Sequence, residues 1–414
     1  MARFIVDGIG VANIDEQSYL EAISRARPND VIEFRRTVAI SKLINCDKPL
    51  HHVGKGTILC SQNGMINFNH MDSTISNTRG FDWDGAPKET WMLDLSTSVV
   101  SEVKRGDFIQ LYSRDVLNTG QPVAGVSREC PLEYVRVAEV VVSSDGQRTK
   151  LWLQQPTRFE HSISPRLEVK SRMKNWQNLN LEGLTFIGDG SNKSPWAFGE
   201  RECPGLKVLG ITVENAGGVA INSPDVTIRD ITINNLVKEH EWYGLVLGGA
   251  AENFRVYNLN IHSCRHPFTT SGVGLLYNGI LCNHGGQWGV IDGGRVSCRK
   301  NTTLDSHAEG GKIIVRNIRA TSAPTSTYPG GTIASFRNAG TRLENCVLQG
   351  CGKNEIGIVG LRVSAPDLEL ENVEIINCYV GIDAQYKWQP KSMRNVRFIN
   401  CLNSHLGLKE LPTS

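Results

Sequence analysis

From residue 175 to residue 401 one short pattern keeps returning: apolar, any, apolar, any, then Asn, Asp or Gly, then apolar, any, apolar. The copies are Leu179–Phe186, Leu206–Val213, Val226–Ile233, Phe254–Ile261, Ile313–Ala320 and Leu368–Ile375, with partial copies at Arg342–Leu348 and Met393–Phe398. Their small or polar markers are Gly183, Gly210, Asp230, Asn258, Asn317, Asn345, Asn372 and Asn395. These stand 20 to 28 residues apart, except for one gap of 59 that spans a degenerate copy near Val290–Val296. Alternation with period two is the signature of a strand. At this spacing it predicts a β-solenoid, in which each coil buries its inward residues only against the coils above and below. The fixed place of the Asn residues predicts a stacked side-chain ladder at one corner. Cys264, Cys298, Cys378 and Cys401 follow the strand in the same way.

The first sixty residues read differently. Ser18 and Glu21 have the spacing of a capping box ahead of Leu20, Ala22, Ile23 and Ala26, which predicts a short amphipathic helix covering the open end of the stack. Strands follow at Val31–Phe34 and Thr57–Cys60. Between Thr90 and about Lys170 the strands lengthen, at Trp91–Leu95, Phe108–Tyr112, Glu133–Val142 and Lys150–Gln154, with a turn at Ser144-Asp145-Gly146. The expected organisation is a cap and first coils over 1–60, a β-rich elaboration over 61–174, the main helix over 175–402 and a tail over 403–414.

Candidate chemistry follows from counting back to the second strand of each coil. Ser306, Ala334 and Leu361 are expected to face inward. Alternation then puts Asp305, His307 and Glu309 outside on one coil, Ser335 and Arg337 on the next, Arg362 and Ser364 on the third, with Asp383 and Gln385 continuing the patch. Asp305 and His307 are about 7 Å apart along the strand, and Asp305 and Glu309 about 13 Å. Asp305, His307, Glu309 and Arg337 are the expected catalytic set. One group must move a proton, and Arg can hold an acidic sugar by its carboxylate. Arg265, His266, Arg362, Trp242, Tyr243 and Tyr386 are the expected substrate-binding set, with Trp196, Tyr328 and Trp388 as further loop aromatics able to stack on sugar rings. Gly272–Gly289 is the longest interruption of the repeat and the loop expected to shape the site.

Composition narrows the picture. With 40% hydrophobic and 21% charged residues the chain can bury a large core. A net charge of +2 with scattered Lys and Arg gives no basic stripe for phosphates, so nucleic acid is not an expected partner. The N-terminus has no signal-peptide pattern, and no run of 18 apolar residues occurs, so no membrane partner is expected either. The 11 cysteines show no CxxC pair, which supports free thiols over zinc. No cofactor is expected. Asp305-x-His307-x-Glu309 holds metal-binding residue types, but same-face neighbours on a flat strand diverge, so no metal is expected.

The run Pro28-Asn29-Asp30-Val31-Ile32, the segment KRGDFIQLYS at Lys104–Ser113, and the pair CRHPFTT and LDSHAEG resemble the pectate-lyase-like β-helix proteins of bacteriophage tailspikes, from Ile14 to Cys401. The resemblance implies a right-handed parallel β-helix, a homotrimer in a virion tail attached to a tail or baseplate protein, and degradation of capsule, exopolysaccharide or O-antigen by hydrolysis or β-elimination. A bacterial surface polysaccharide is then the expected partner. DSHAEG is also similar to the DPHE motif of mannuronan C5-epimerases, from which Ser306, Ala308 and the later Glu309 depart. Three functions are carried forward: a depolymerase with a lean towards lyase, a non-catalytic glycan-binding adhesin or tail component, and an epimerase.

Overall fold

The computed structural model describes the chain except for residues 70–80, 116–130, 171–172, 174–175, 177, 237–241, 249–250, 271–272, 278–279, 285, 299–301, 307–310, 323–330, 355–356, 385–387 and 409–414. It is a right-handed parallel β-helix. Each returning pattern is two short strands meeting at a bend, as at Arg342–Glu344 with Val347–Gln349 and Glu369–Glu371 with Glu374–Ile376. A third strand then closes the coil, and eleven such strands form one parallel sheet from Leu43–Cys46 to Asn403–Leu406.

The marker residues are what bends the chain. Gly183, Gly210, Asp230, Asn258, Asn317, Asn345, Asn372 and Asn395 all have positive φ, between 51° and 71°. That left-handed region is open to Gly and tolerated by Asn and Asp, whose short side chains bond locally. The degenerate copy obeys the same rule with Gly293 at φ 81°. The expected ladder is present: Nδ2 of Asn395, Asn372 and Asn345 donates to Oδ1 of Asn372, Asn345 and Asn317 at 2.8, 3.0 and 3.4 Å. Gly293 has no side chain to continue it. Asn317 therefore donates to Asp292 at 2.7 Å, and Asn258 to Asp230 at 2.8 Å.

The helix runs Ala12–Arg25, earlier than its sequence signal. Ser18 and Glu21 therefore lie inside it and form no capping box. Asp15 does the work at that end, accepting the N–H groups of Ile9, Gly10 and Ala39 at 2.8–2.9 Å. Tyr19, Ala22 and Ile23 are buried, whereas Leu20 faces solvent. Tyr19 bonds to His52 at 2.9 Å, and burial pushes that imidazole down to about 3, so the ring is neutral. The helix thus closes the apolar end that the first coil would expose.

In the third sheet one inward row reads Ile44, Ile66, Phe198, Val219, Leu245, Phe268, Leu304, Ala334, Leu361 and Ile382, all buried. The next inward row, Phe68, Glu200, Ile221, Leu247, Thr270, Ser306, Phe336 and Val363, is polar in places. Glu200 accepts hydrogen bonds from Ser223 Oγ and the Asn222 N–H.

After Met65–Asn69 the chain leaves the helix and builds a six-stranded antiparallel sheet between Phe81 and Lys170 before re-entering at Asn180–Glu182. This sheet has its own core of Leu93, Leu95, Ile109, Leu111, Val135, Val137, Leu151 and Leu167. Its contact with the helix combines charged groups with an aromatic pair, Phe159 on Trp288 at 5.2 Å. Fully buried Glu252 accepts the Tyr134 N–H and pairs with Arg158, which stacks over Trp288 at 4.1 Å, while Lys170 bridges Glu168 and Glu202.

Two outcomes test these features. Asn372→Ala should lower stability in urea denaturation by about 1–2 kcal/mol, from an L-residue forced to positive φ and the broken ladder. Asn372→Gly should cost less. Burial pushes Glu200 from 4.5 up to about 7. Between those values the folded chain keeps a proton that the unfolded chain has lost, so thermal stability should fall as pH rises through that window. Glu200→Gln should flatten the slope.

Candidate active site

The outward row of the third sheet carries the candidate chemistry. In register it reads Gly199, Ala220, Val246, Thr269, Asp305, Ser335, Arg362 and Asp383, so small or apolar residues give way to charged ones. The expected alternation is correct, but the coil of Asp305 sits two residues from the expected alignment. Leu304, and not Ser306, shares the row of Ala334 and Leu361, while Ser306 pairs with Phe336. A shift of two keeps every side chain on its face. Asp305 is consequently beside Ser335, with Arg337 one outward position further along.

Asp305 is only 4% exposed. It accepts Thr269 Oγ1 at 2.9 Å and pairs with Arg337 Nη2 at 3.2 and 3.4 Å. Arg337 is held by its Nε donating to the Ser306 carbonyl at 2.9 Å, while its own N–H donates to Ser306 Oγ at 3.0 Å. Ser306 Oγ in turn donates to Asn338, which also accepts from Thr341. The inward serine therefore aims the outward arginine. Arg362 is a coil further on, its Nε 3.4 Å from Asp383.

His266 completes the cluster from the preceding coil. Its Nδ1 lies 2.9 Å from the Thr302 carbonyl. A carbonyl only accepts, so Nδ1 carries the proton and neutral His266 keeps an acceptor lone pair on Nε2. Burial lowers its pKa, opposed by the nearby Asp305 carboxylate, and Arg265 and Arg337 lower it further. A neutral imidazole close to a buried carboxylate and a cation can act as a proton acceptor.

From His266 an aromatic row runs along the helix axis away from Asp305. His266 stacks on Tyr243 at 5.5 Å and Tyr243 on Trp196 at 6.2 Å, with the Arg265 guanidinium 5.5 Å from the Tyr243 ring. Trp196 and Tyr243 belong to coils separated by the coil of Gly218, where a Cβ would meet the Tyr243 carbonyl oxygen at 2.3 Å. The glycine therefore lets the two coils' backbones approach here. All three rings are half-buried.

Several sequence expectations change. Trp242 is only 5% exposed, which leaves its ring no open face to serve as a subsite wall. Trp196 begins the strand Trp196–Arg201 and does not lie in a loop. Trp388 packs against the core. The long interruption is partly regular, an antiparallel hairpin of Val273–Tyr277 and Ile280–His284. His307, Glu309, Gln385, Tyr328 and Tyr386 lie outside the described residues. His266 lies at the rim of the charged cluster, as its place at the end of the preceding coil's strand suggests, whereas Thr269 and Ser306 as the anchor of Arg337 were missed. Only a register correct to the residue would have found them.

A second constellation looks catalytic and is not. His161 lies between Glu133 at 2.9 Å and Ser113 at 3.2 Å in the inserted sheet. All three are fully buried, and Ser113 Oγ already donates to Asp115, so no substrate reaches them. Among the described residues no group of three or more His, Cys, Asp or Glu is placed to hold a metal.

No protein-family profile and no curated protein matches the sequence. Among solved structures, the chain is similar to the gp54 tailspike of Acinetobacter baumannii bacteriophage AP22, determined in complex with A. baumannii capsular saccharide: 11% identity over 97% of this chain and 65% of that one, TM-score 0.49. It is also similar to the A-module of the Azotobacter vinelandii mannuronan C-5 epimerase AlgE4, at 9% identity over 98% and 97% of the chains, TM-score 0.46. A third is PfbA, a surface adhesin of Streptococcus pneumoniae, at 9% identity over 97% and 91%, TM-score 0.49. The chain spans just under two thirds of the tailspike's length. All three share the parallel β-helix, and at these identities the likeness concerns the path of the backbone.

The Asp305–Arg337 pair yields a measurable coupling. Arg337→Ala strands a buried carboxylate and should cost roughly 1–3 kcal/mol in denaturant unfolding. Adding Asp305→Asn should cost less than the sum of the single changes, because the uncompensated charge is then gone.

Proposed function

We propose that the chain binds a long bacterial surface polysaccharide along its third sheet and cuts it at the cluster of Asp305, Arg337 and His266. The observation that carries this reading is the convergence of a buried carboxylate, a braced guanidinium and a neutral imidazole from three adjoining coils, continued by a row of aromatic rings along the axis. Successive coils are about 4.8 Å apart, a rise comparable to one sugar in an extended chain, so a polysaccharide lying along the axis meets each coil in turn.

Elimination suits these groups better than hydrolysis. Arg337 and Arg362 neutralise the carboxylate of an acidic sugar, which makes its C5 proton more acidic. His266 Nε2, or His307, takes that proton; the electron pair forms the C4–C5 double bond, and the glycosidic oxygen leaves with a proton from solvent water, whose hydroxide recovers the one on the imidazole. Hydrolysis needs two carboxyl groups about 5–9.5 Å apart. Asp305 is already committed to Arg337 and Thr269, and Asp383, further along the same outward row, pairs with Arg362. In this reading the protein serves in a virion tail as a homotrimer, a state that light scattering of the purified chain measures directly.

The test is incubation with a panel of capsular polysaccharides, exopolysaccharides and O-antigens, following ultraviolet absorbance, reducing ends and chain size. A lyase gives new unsaturated ends and shorter chains. Reducing ends alone mean a hydrolase, retention of intact polymer a binding protein, and changed sugar configuration without shortening an epimerase. Asp305→Asn, Arg337→Ala and His266→Ala should each lower kcat by roughly 100-fold or more. Trp196→Ala should raise KM for polymer and leave kcat nearly unchanged. Full activity in the Asp305 and Arg337 variants would move the active site elsewhere.

A further inference from the structure

Three cysteines occupy one corner of three successive coils near the C-terminal end. The Gly350 N–H donates to the Ile376 carbonyl and the Asn377 N–H to the Ile399 carbonyl, at 2.8 and 3.0 Å, so Gly350, Asn377 and Asn400 are stacked. Asn400 and Asn377, both at positive φ, are joined by a 2.6 Å side-chain bond that fixes this register. The residues that follow, Cys351, Cys378 and Cys401, are stacked in consequence. Neighbouring parallel strands lie about 4.8 Å apart, within the Cα separation that a disulfide spans. The two later sulfurs both reach inward. Cys378 Sγ donates to the Ile376 carbonyl at 3.3 Å, and Cys401 Sγ lies 3.4 Å from the carbonyl oxygen of the neighbouring coil's Ile375.

This end of the solenoid is the one that the helix does not close. Met393, Val396 and Phe398, which occupy inward positions of the last described coil, are only half-buried, and Leu402 is exposed. Among the described residues the last coil pairs with one neighbour only, so fewer contacts hold it than hold the coils before it.

We propose that Cys378 and Cys401 are an oxidation site whose disulfide clamps the final coil to the one before it when the protein meets an oxidant. With hydrogen peroxide the chemistry balances. The half-buried Cys401 thiol is oxidised to a sulfenic acid, with one water released. The Cys378 sulfur then attacks it, the S–S bond forms, and the departing hydroxide takes the Cys378 proton as a second water. Two thiols lose two electrons and two protons, and one peroxide becomes two waters. Burial, with Cys401 beside it, pushes Cys378 up to about 12, so it is the resolving partner and the second step is slow at neutral pH. Cys351 is exposed and remains a thiol or is oxidised independently.

The experiment treats the native full-length protein with hydrogen peroxide, blocks remaining thiols under denaturing conditions, and maps linked peptides by mass spectrometry with and without reduction. The expected result is one linkage, Cys378 to Cys401, and a melting temperature raised by several degrees that reductant reverses. Cys351→Ser should leave both unchanged. Cys401→Ser, at a half-buried position that tolerates the smaller polar atom, should abolish both. Recovery of Cys378 as a blocked thiol after oxidation, or its linkage to Cys351, would overturn the proposal, as would a linkage that leaves the melting temperature unmoved.

Discussion

Parallel hydrogen bonding between successive coils is the constraint on which the rest of the molecule depends. It requires every coil to present the same backbone outline to its neighbours, so a bend in one coil must recur in the next. The bend is a residue in the left-handed region, available cheaply to Gly, Asn and Asp. Once Asn occupies it, the side chain does more than permit the turn. It donates to the coil before and accepts from the coil after, converting a local preference into a bond between layers. Gly293 interrupts that ladder, and Asp292 carries it past the gap.

Layering also explains how a reactive cluster can be built from residues some thirty positions apart. Asp305, Arg337 and His266 come from three coils, each contributing one group to a shared outer face. Their precision comes from beneath that face. The inward row, apolar for most of its length, turns polar at Thr270 and Ser306 at the level of the cluster, and Ser306 holds Arg337 through its hydroxyl and its carbonyl. A polar residue facing the core must have its hydrogen bonds met, and here Asn338 and Thr341 meet them. Breaking the apolar pattern at this level is therefore tied to the aim of the guanidinium. Glu200, further along the same row, is another polar interruption, and its cost is visible in a carboxyl raised towards neutrality.

The inserted sheet follows a different logic. Its strands satisfy one another and its core is its own, so it meets the β-helix chiefly through charge and hydrogen bonding, with the Phe159–Trp288 ring pair beside them. Glu252, Arg158 and Trp288 make that contact next to the coils that hold the aromatic row. Burying such groups is tolerable only when each finds partners, which fixes the orientation of the module more than it adds to stability.

Much of the fold was legible because a β-helix repeats its physics in its sequence. The positions of Asn258, Asn317, Asn345, Asn372 and Asn395 announced the corner, and period-two alternation told which residues of the third sheet face out, so Asp305, Arg337 and Arg362 were correctly brought to one side. The helix boundary was not legible, since Asp15 caps loop backbone from within the helix and leaves no conventional signal. Nor was the company of Asp305. A slip of two residues preserves the face of every side chain while changing every neighbour, and alternation alone is blind to it. The sequence by itself determined the layering and the outward face, because both depend on local backbone preference and burial. Which groups touch depended on the register between coils, and only the packed tertiary structure decides that.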